Sequence, residues 1–498
     1  MIYSDLLQLV EYAIDKELIS EDDRIWALNL LMSQMKLTDF VNEENTEKKD
    51  LETLLEDIDK YAYEHGIITS MSTTYKDLFE AKIMGLLTPP PHEVISRFKA
   101  NYLISPECAT KWFNEFSKNT NYIKTYRIKK DKKWKYNSKY GEIDITINLS
   151  KPEKDPKEIA KFKNLPQTGY PKCALCKENE GYEGNEKNAP RENHRIIPLK
   201  LQNEKWYLQY SPYEYYNEHC ICLSSEHRPM AINVELINKM FDFLDMFPHY
   251  FIGSNADLPI VGGSILSHDH MQGGHYVFAM ENAETIKEIV FTGYEDVKAS
   301  IIKWPLSVIR LKSSDREKVA ELAEKILACW RKYSDPDAFI YSETDGEPHN
   351  TITPISRIKD NEYELDLALR NNIRTPECPL GYYHPHSDKH NIKKENIGLI
   401  EVMGLAVLPS RLLKEMSLLK NAILENKEIG KITEIAHHEK WVEKFINKYE
   451  FREDNIDEIL HIEIGKTFEE VLEDCGVYKC TPEGLISFEK FIDFTNNN

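Results

Sequence analysis

Along the first 135 residues, apolar positions recur at three- and four-residue spacing, the period of an α-helix with one buried face. Ile25, Leu28 and Met32 follow a Ser20, Glu21, Asp22 start, and the same spacing returns in DLFEAKIMGLL. Three prolines in LLTPPPHEV close that run. Between 141 and 149 the period drops to two: Ile143, Ile145, Ile147 and Leu149 alternate with other residues in GEIDITINL, which predicts a half-buried strand. The polar stretch SKPEKDPKEIAKFKN then leads to CALC, after which strand-like EHCICLS and HYVFAM alternate with helical VELINKMFDFLDMF. SDREKVAELAEKILACWRKY is the best-marked helix, with Ser314 and Glu317 at capping-box spacing and Val319, Leu322, Ile326 and Trp330 along one face. From residue 412 the pattern is helical and charged again, and no fixed repeat or low-complexity segment interrupts it.

A chain of 498 residues exceeds what one hydrophobic core serves, so two to four domains or subdomains are expected. Hydrophobic residues make up 41% and aromatics 11%, a globular composition, and no apolar run has the length to span a membrane. The opening MIYSDLLQLVEYAIDKELI carries acids within its apolar pattern, which reads as an amphipathic helix and not a signal peptide. Together with nine cysteines this predicts a cytoplasmic protein with reduced thiols, some of them candidate metal ligands. A net charge of -20 argues against a nucleic-acid partner, since affinity for a phosphate backbone needs basic surface. A small phosphorylated substrate would need a local basic pocket.

Chemistry concentrates in GGSILSHDHMQGG. In a strand, residues two apart share a face, so His268, His270 and Gln272 would project together, away from Asp269 and Met271. Gly262, Gly263, Gly273 and Gly274 flank them, giving either unusual backbone angles or close approach of a ligand to the main chain. Same-face imidazoles suit metal ligation or nucleophilic and acid–base work on a phosphoryl group. Cys173 and Cys176 form a Cys-x-x-Cys, half of a tetrahedral zinc site or, alternatively, a redox pair. His227, at the end of CICLS, and His268 offer the two further zinc ligands, whereas Cys220 and Cys222 inside an apolar run read as core.

These segments, with CLSSEHRP, EPHNTITPISR and NIGLIEVMGLAVLP in order, resemble the galactose-1-phosphate uridylyltransferases of the second type, found in Gram-positive bacteria, within the histidine-triad superfamily. The resemblance runs over essentially the whole chain. It implies exchange of UMP between UDP-glucose and galactose 1-phosphate, by a ping-pong mechanism through a uridylyl-histidine, in galactose metabolism. On the family pattern His270 is the nucleophile and Gln272 the donor to the transferring phosphoryl group. Asn255, Gly263 and Ser264 match positions near the phosphates, and Glu401 falls near a glutamate that contacts hexose hydroxyls in first-type members. A structural zinc on Cys173, Cys176, His227 and His268 is carried over from the first type. Two departures stand out: Asp269 replaces a proline between the histidines, and the stretch from Asn255 to His268 is longer by about two residues. His349, His384 and His386 resemble ligands of a second metal, but their flanks diverge, so a loop of unligated histidines is the preferred reading. Arg228, Arg357 and Arg411 are further candidates to neutralise phosphates, each weighed against an ordinary surface charge.

The expected architecture is α+β: two histidine-triad-like halves, each a mainly antiparallel sheet with packed helices, between helical extensions. The expected boundaries are 1–135 (helical), 136–300 (first half, with His-x-His-x-Gln), 301–411 (second half) and 412–498 (helical). First-type members dimerise and two-fold dimers predominate in general, which makes a homodimer the oligomer to consider. Two rival functions stand beside transfer to a sugar phosphate: a nucleotide hydrolase or phosphorylase with the same histidine chemistry, and a zinc-stabilised binding protein whose histidines are only structural.

Overall fold

The computed structural model describes residues 2–41, 47–150, 169–263 and 265–498. In chain order the amino-terminal helices are α1 (Ile2–Asp15), α2 (Arg24–Gln34), α3 (Leu51–Glu64), α4 (Thr73–Leu86), α5 (Pro91–Tyr102), α6 (Pro106–Asn119) and the single turn α7 (Thr125–Ile128). A hairpin follows, β1 (Lys132–Ser138) and β2 (Gly141–Ile147), and then strands β3 (Ile197–Leu201), β4 (Glu204–Tyr210) and β5 (Cys220–Ser224). Next come α8 (Val234–Met246), β6 (Phe251–Gly253), β7 (His270–Gly274), β8 (Thr285–Ile289), β9 (Lys298–Ile302), β10 (Val308–Ser313) and α9 (Arg316–Trp330). The rest comprises β11 (Glu343–Thr344), β12 (Glu347–Pro348), β13 (Asn350–Lys359), β14 (Glu362–Asn371), α10 (Leu399–Val402), β15 (Leu405–Leu408), α11 (Arg411–Leu424), α12 (Glu439–Glu443), α13 (Ile456–Cys475) and α14 (Pro482–Asn497). Helices on largely antiparallel sheets make this an α+β protein.

Two compact units result: Met1–Lys130 with Ser150–His227, and Asp131–Leu149 with Arg228–Asn498. The first unit holds the amino-terminal helices and the antiparallel meander β3-β4-β5. Proline here starts helices as well as ending them. Pro91 and Pro106 occupy first-turn positions of α5 and α6, where a missing N–H costs nothing. On α2 the buried positions are Ala27 and Leu31, not the Ile25, Leu28, Met32 stripe, and Ile25 is 73% exposed. The reason is tertiary: α2 packs against both α1 and α4, so small Ala27 faces the contact. Cys220 and Cys222 are fully buried on β5, as core residues.

In the second unit antiparallel strands run in the order β7-β6-β13-β14-β10-β9-β8. The β1–β2 hairpin belongs to this unit because β15 pairs in parallel with β2, matching Ala406 to Ile145. Ile143, Ile145 and Ile147 are buried, as their alternation predicts. Helix α9 buries Val319, Leu322, Ile326 and Trp330. Its cap is Asp315, one residue beyond Ser314, because the Asp315 carboxylate accepts from the N–H groups of Glu317 and Lys318 at 3.1 and 3.2 Å. HYVFAM is not a strand: β7 ends at Gly274, and a short 3-10 turn occupies Ala279–Asn282. Most of SKPEKDPKEIAKFKN lies outside the described residues.

Buried charge marks the helical unit. Asp77 pairs with Lys124 at 2.5 Å and Arg127 at 2.6 Å, and Glu80 with Lys124. Asp59 is buried beside Glu80, with Lys76 Nζ only at 4.0 Å. Burial first, and the Glu80 charge next, push the Asp59 carboxyl up to about 8. A carboxyl raised in the folded state favours folding below its unfolded pKa, and that contribution is lost as pH climbs from about 4 to about 8. Asp59→Asn should therefore gain stability relative to the parent as pH rises through this window, by about 1–2 kcal/mol at pH 8. Urea denaturation at pH 5 and pH 8 checks this; an equal difference at both would refute it.

Candidate active site

In the second unit, β7 begins at His270, and His268 sits in the bend just before it. The two histidines therefore do not share one regular strand face. A backbone bend brings the His268 carbonyl back to the next imidazole, and His270 Nδ1 lies 2.7 Å from that oxygen. A carbonyl only accepts, so Nδ1 carries the proton and the Nε2 lone pair is left outward from the bond. Burial, with the neighbouring His268 ring a smaller cause, lowers the His270 imidazolium to about 4 and keeps the ring neutral near pH 7. Gln272 lies two residues along β7, paired opposite Gly253 of β6. His275, past the end of β7, packs its ring against His249 at 5.4 Å.

Asp269 carries a second tie. Its N–H donates to the Arg228 carbonyl at 2.7 Å, and Arg228 Nε donates to its carboxylate at 3.2 Å. Where first-type members are expected to place proline, this chain thus uses both a backbone donor and a charge.

The loop after β6 supports the same region. Asn255 is buried, and its Oδ1 accepts from the Leu399 N–H at the start of α10 at 2.9 Å. Its amide also presses on Gly263, where an added Cβ would come 2.6 Å from Nδ2. At Gly262 an added Cβ would lie 2.5 Å from the Ala256 carbonyl. Both glycines serve close approach, not unusual backbone angles. Ser264 lies outside the described residues. Glu401, on α10, accepts from its own Gly398 N–H at 3.2 Å and from Lys393 Nζ at 2.9 Å. Lys393 is buried and donates also to the Val407 carbonyl at 3.0 Å. Sequence reasoning passed over Lys393, one lysine of an ordinary polar run with no periodic or motif signal.

Arg357 is committed within the sheet: it is buried, and binds Glu364 at 2.7 Å and Asp366 at 2.5 Å. Arg411 pairs with Glu415 at 2.6 Å. His349, His384 and His386 take separate partners: Asn372 Oδ1 at 2.8 Å, Asn396 Oδ1 at 3.1 Å, and the Tyr382 carbonyl at 3.0 Å.

In the first unit, Cys173 and Cys176 form a tight turn, with the Cys176 N–H on the Cys173 carbonyl at 3.2 Å. The Asn179 amide donates to both cysteine carbonyls, at 2.9 and 2.8 Å. The sulfurs lie 3.6 Å apart, and Cys176 Sγ is 3.3 Å from His227 Nδ1. A tetrahedral zinc about 2.3 Å from each sulfur would set them about 3.7 Å apart, so this donor set fits zinc.

A neutral imidazole of fixed tautomer at the head of a strand in an α+β fold has the chemistry that group transfer through histidine requires. Models of the amino- and carboxy-terminal domains of galactose-1-phosphate uridyl transferase match residues 18–229 and 243–443. A Fusobacterium nucleatum protein named galactose-1-phosphate uridylyltransferase is 50% identical over 502 residues, covering 99% of this chain and 98% of that one. Relatives of the same name from Clostridium acetobutylicum and Bacillus subtilis are 50% and 46% identical, each spanning 99% of this chain and 100% and 97% of their own. The chain belongs to the galactose-1-phosphate uridylyltransferase family. Among solved structures, yeast Ap4A phosphorylase Apa2 is similar at a TM-score of 0.34 and 10% identity, over 62% of this chain and 90% of that one, too slight a likeness to bear on function.

The Gly263 contact gives a direct test of this architecture. Gly263→Ala should cost about 1–3 kcal/mol of stability by forcing the Asn255 amide off its site. Chemical denaturation measures it, and an unchanged midpoint would mean the amide yields freely.

Proposed function

We propose that this chain transfers UMP from UDP-glucose to galactose 1-phosphate through a covalent uridylyl-His270. The observation that carries the reading is the 2.7 Å bond from His270 Nδ1–H to the His268 carbonyl. In the first half-reaction Nε2 attacks the α-phosphorus of UDP-glucose, the N–P bond forms, and the P–O bond to glucose 1-phosphate breaks with that group leaving as its anion. Because the proton stays on Nδ1, the substituted ring becomes cationic, and the His268 carbonyl dipole faces that new charge. In the second half-reaction a phosphate oxygen of galactose 1-phosphate attacks phosphorus and the N–P bond breaks, returning the neutral ring and releasing UDP-galactose. Phosphoryl chemistry of this kind asks mainly for positioning and for donors aimed at charged oxygens.

Gln272, two residues along the strand, is the donor to the transferring phosphoryl group. Asn255 and Gly263 line the phosphates, and Glu401, held by Lys393, faces the hexose hydroxyls. Cys173, Cys176 and His227, with His268 as the fourth ligand, would hold a zinc ion, whose role would be structural and not chemical. The 3.6 Å sulfur spacing and the paired Asn179 bonds support that assignment. A cytoplasmic site of action and a homodimer complete the reading. Among the described residues no helix is long and apolar enough to cross a membrane.

Incubation with UDP-glucose alone should release glucose 1-phosphate and add one uridylyl group to the intact protein, as read by mass spectrometry. His270→Ala should abolish both, lowering turnover at least about a thousandfold. Uridine nucleotide released equally fast without galactose 1-phosphate would instead identify water as the acceptor, and full activity of His270→Ala would sink the covalent route. Cys173→Ser should lower the zinc content of the purified protein and its thermal midpoint together; zinc retained at parental level would remove Cys173 from the ligand set.

A further inference from the structure

A second donor cluster lies in the carboxy-terminal helical segment, apart from every residue assigned above to catalysis or zinc. Glu415 projects from α11, while His437 and His438 form a 3-10 turn that leads into α12. Glu415 Oε2 lies 3.4 Å from His437 Nε2 and 3.0 Å from His438 Nε2, and the donor atoms of all three lie within 4.8 Å of one another. The two imidazoles are tilted by 39° with centroids 4.1 Å apart, so both Nε2 atoms turn toward the same carboxylate. Consecutive histidines on a regular helix diverge by about 100°. Here the tight turn brings them together.

Burial is graded as in a site with one open side. His438 has no exposure, Glu415 retains 13% and His437 43%. The far nitrogen of the buried ring is also held: His438 Nδ1 lies 3.1 Å from the side-chain amide of buried Asn391. Metal-bound histidines typically have the second ring nitrogen fixed this way, which orients the ring and sets the tautomer. An amide can serve with either end, donating through Nδ2 when Nε2 is protonated or accepting through Oδ1 when Nε2 binds an ion.

We propose that Glu415, His437 and His438 bind a divalent transition-metal ion of the zinc class. Two imidazoles and one carboxylate suit Zn²⁺, Co²⁺ or Ni²⁺ better than Ca²⁺ or Mg²⁺, which take oxygen ligands. The ion replaces the proton between the His438 ring and the carboxylate, and water completes its shell on the exposed His437 side. It clips α11 to the turn at 436–438, so its role is structural. Arg411, whose Nη1 donates to the same Glu415 oxygen at 2.6 Å, is the built-in competitor, a fixed positive charge beside the ion. A purely structural hydrogen-bond network would use Arg411 as an ally; a metal site is opposed by it.

That opposition supplies the test. Full-length protein carrying Cys173→Ser, stripped with chelator, is titrated with Co²⁺ alone and followed by visible absorption and thermal midpoint. One Co²⁺ should bind with ligand-field bands but no thiolate charge-transfer band, and should raise the midpoint. His437→Ala, a substitution at an exposed side chain, should weaken this binding at least about tenfold. Arg411→Gln should tighten it by about tenfold by removing the competing charge. No Co²⁺ bound in the Cys173→Ser background, equal affinity in His437→Ala, or weaker affinity in Arg411→Gln would each overturn the proposal. None of these readouts depends on uridylyl transfer.

Discussion

One hydrogen bond organises the candidate site: the His270 Nδ1–H on the His268 carbonyl. It ties the ring to its own backbone two residues upstream, so the tautomer is fixed by local chain geometry. For that geometry to exist, the backbone must leave extended form before β7 and enter it at His270. The surrounding features enforce that switch. Asp269, caught between the Arg228 carbonyl and guanidinium, holds the bend from one side. Gly253, paired opposite Gln272, lets the Leu399 side chain and the Pro354 carbonyl approach closely on the other, where an added Cβ would lie 2.8 and 3.0 Å from them.

A second layer holds the first. Asn255 bonds the start of α10 and packs against Gly263, so the glycine loop and the segment bearing Glu401 meet through one side chain. Glu401 in turn caps its own helix and neutralises buried Lys393. Such a buried pair is costly to assemble and more costly to break, because removing one partner leaves an uncompensated charge. Backbone donors at Gly398 and Leu399 are both consumed by side chains, which leaves this helix start rigid and its carboxylate oriented.

Much of this was legible in the sequence, and the failures share a cause. Period and alternation located α9 and β2 because their buried faces are set by residues within each element. The glycine-flanked His-x-His marked the start of β7, and the Cys-x-x-Cys marked a turn that the structure builds with Asn179. The buried face of α2, by contrast, depends on two partner helices far along the chain. The Asp315 cap differs from Ser314 by one residue because two competent caps adjoin, and only the helix register chooses between them. Lys393 was invisible because its meaning lies in Glu401 and Val407, neither of which has a fixed offset from it. Parallel pairing of β15 with β2 joins residues more than 250 positions apart, beyond any local pattern.

The same reasoning applies to charge. An acidic chain of net -20 that handles phosphorylated sugars suggests looking among its arginines for phosphate ligands. Arg357 shows why residue type does not decide. Its guanidinium is buried between Glu364 and Asp366, and Arg310 binds Asp366 from the next strand at 2.7 Å. Alternating charges across β13, β14 and β10 fix strand register, since a one-residue slip would send every one of them to the opposite face. In a chain rich in acids, most cations are claimed by carboxylates before any ligand arrives. Which ones stay available is a property of the folded pairing, and a single neutral imidazole needs no such release.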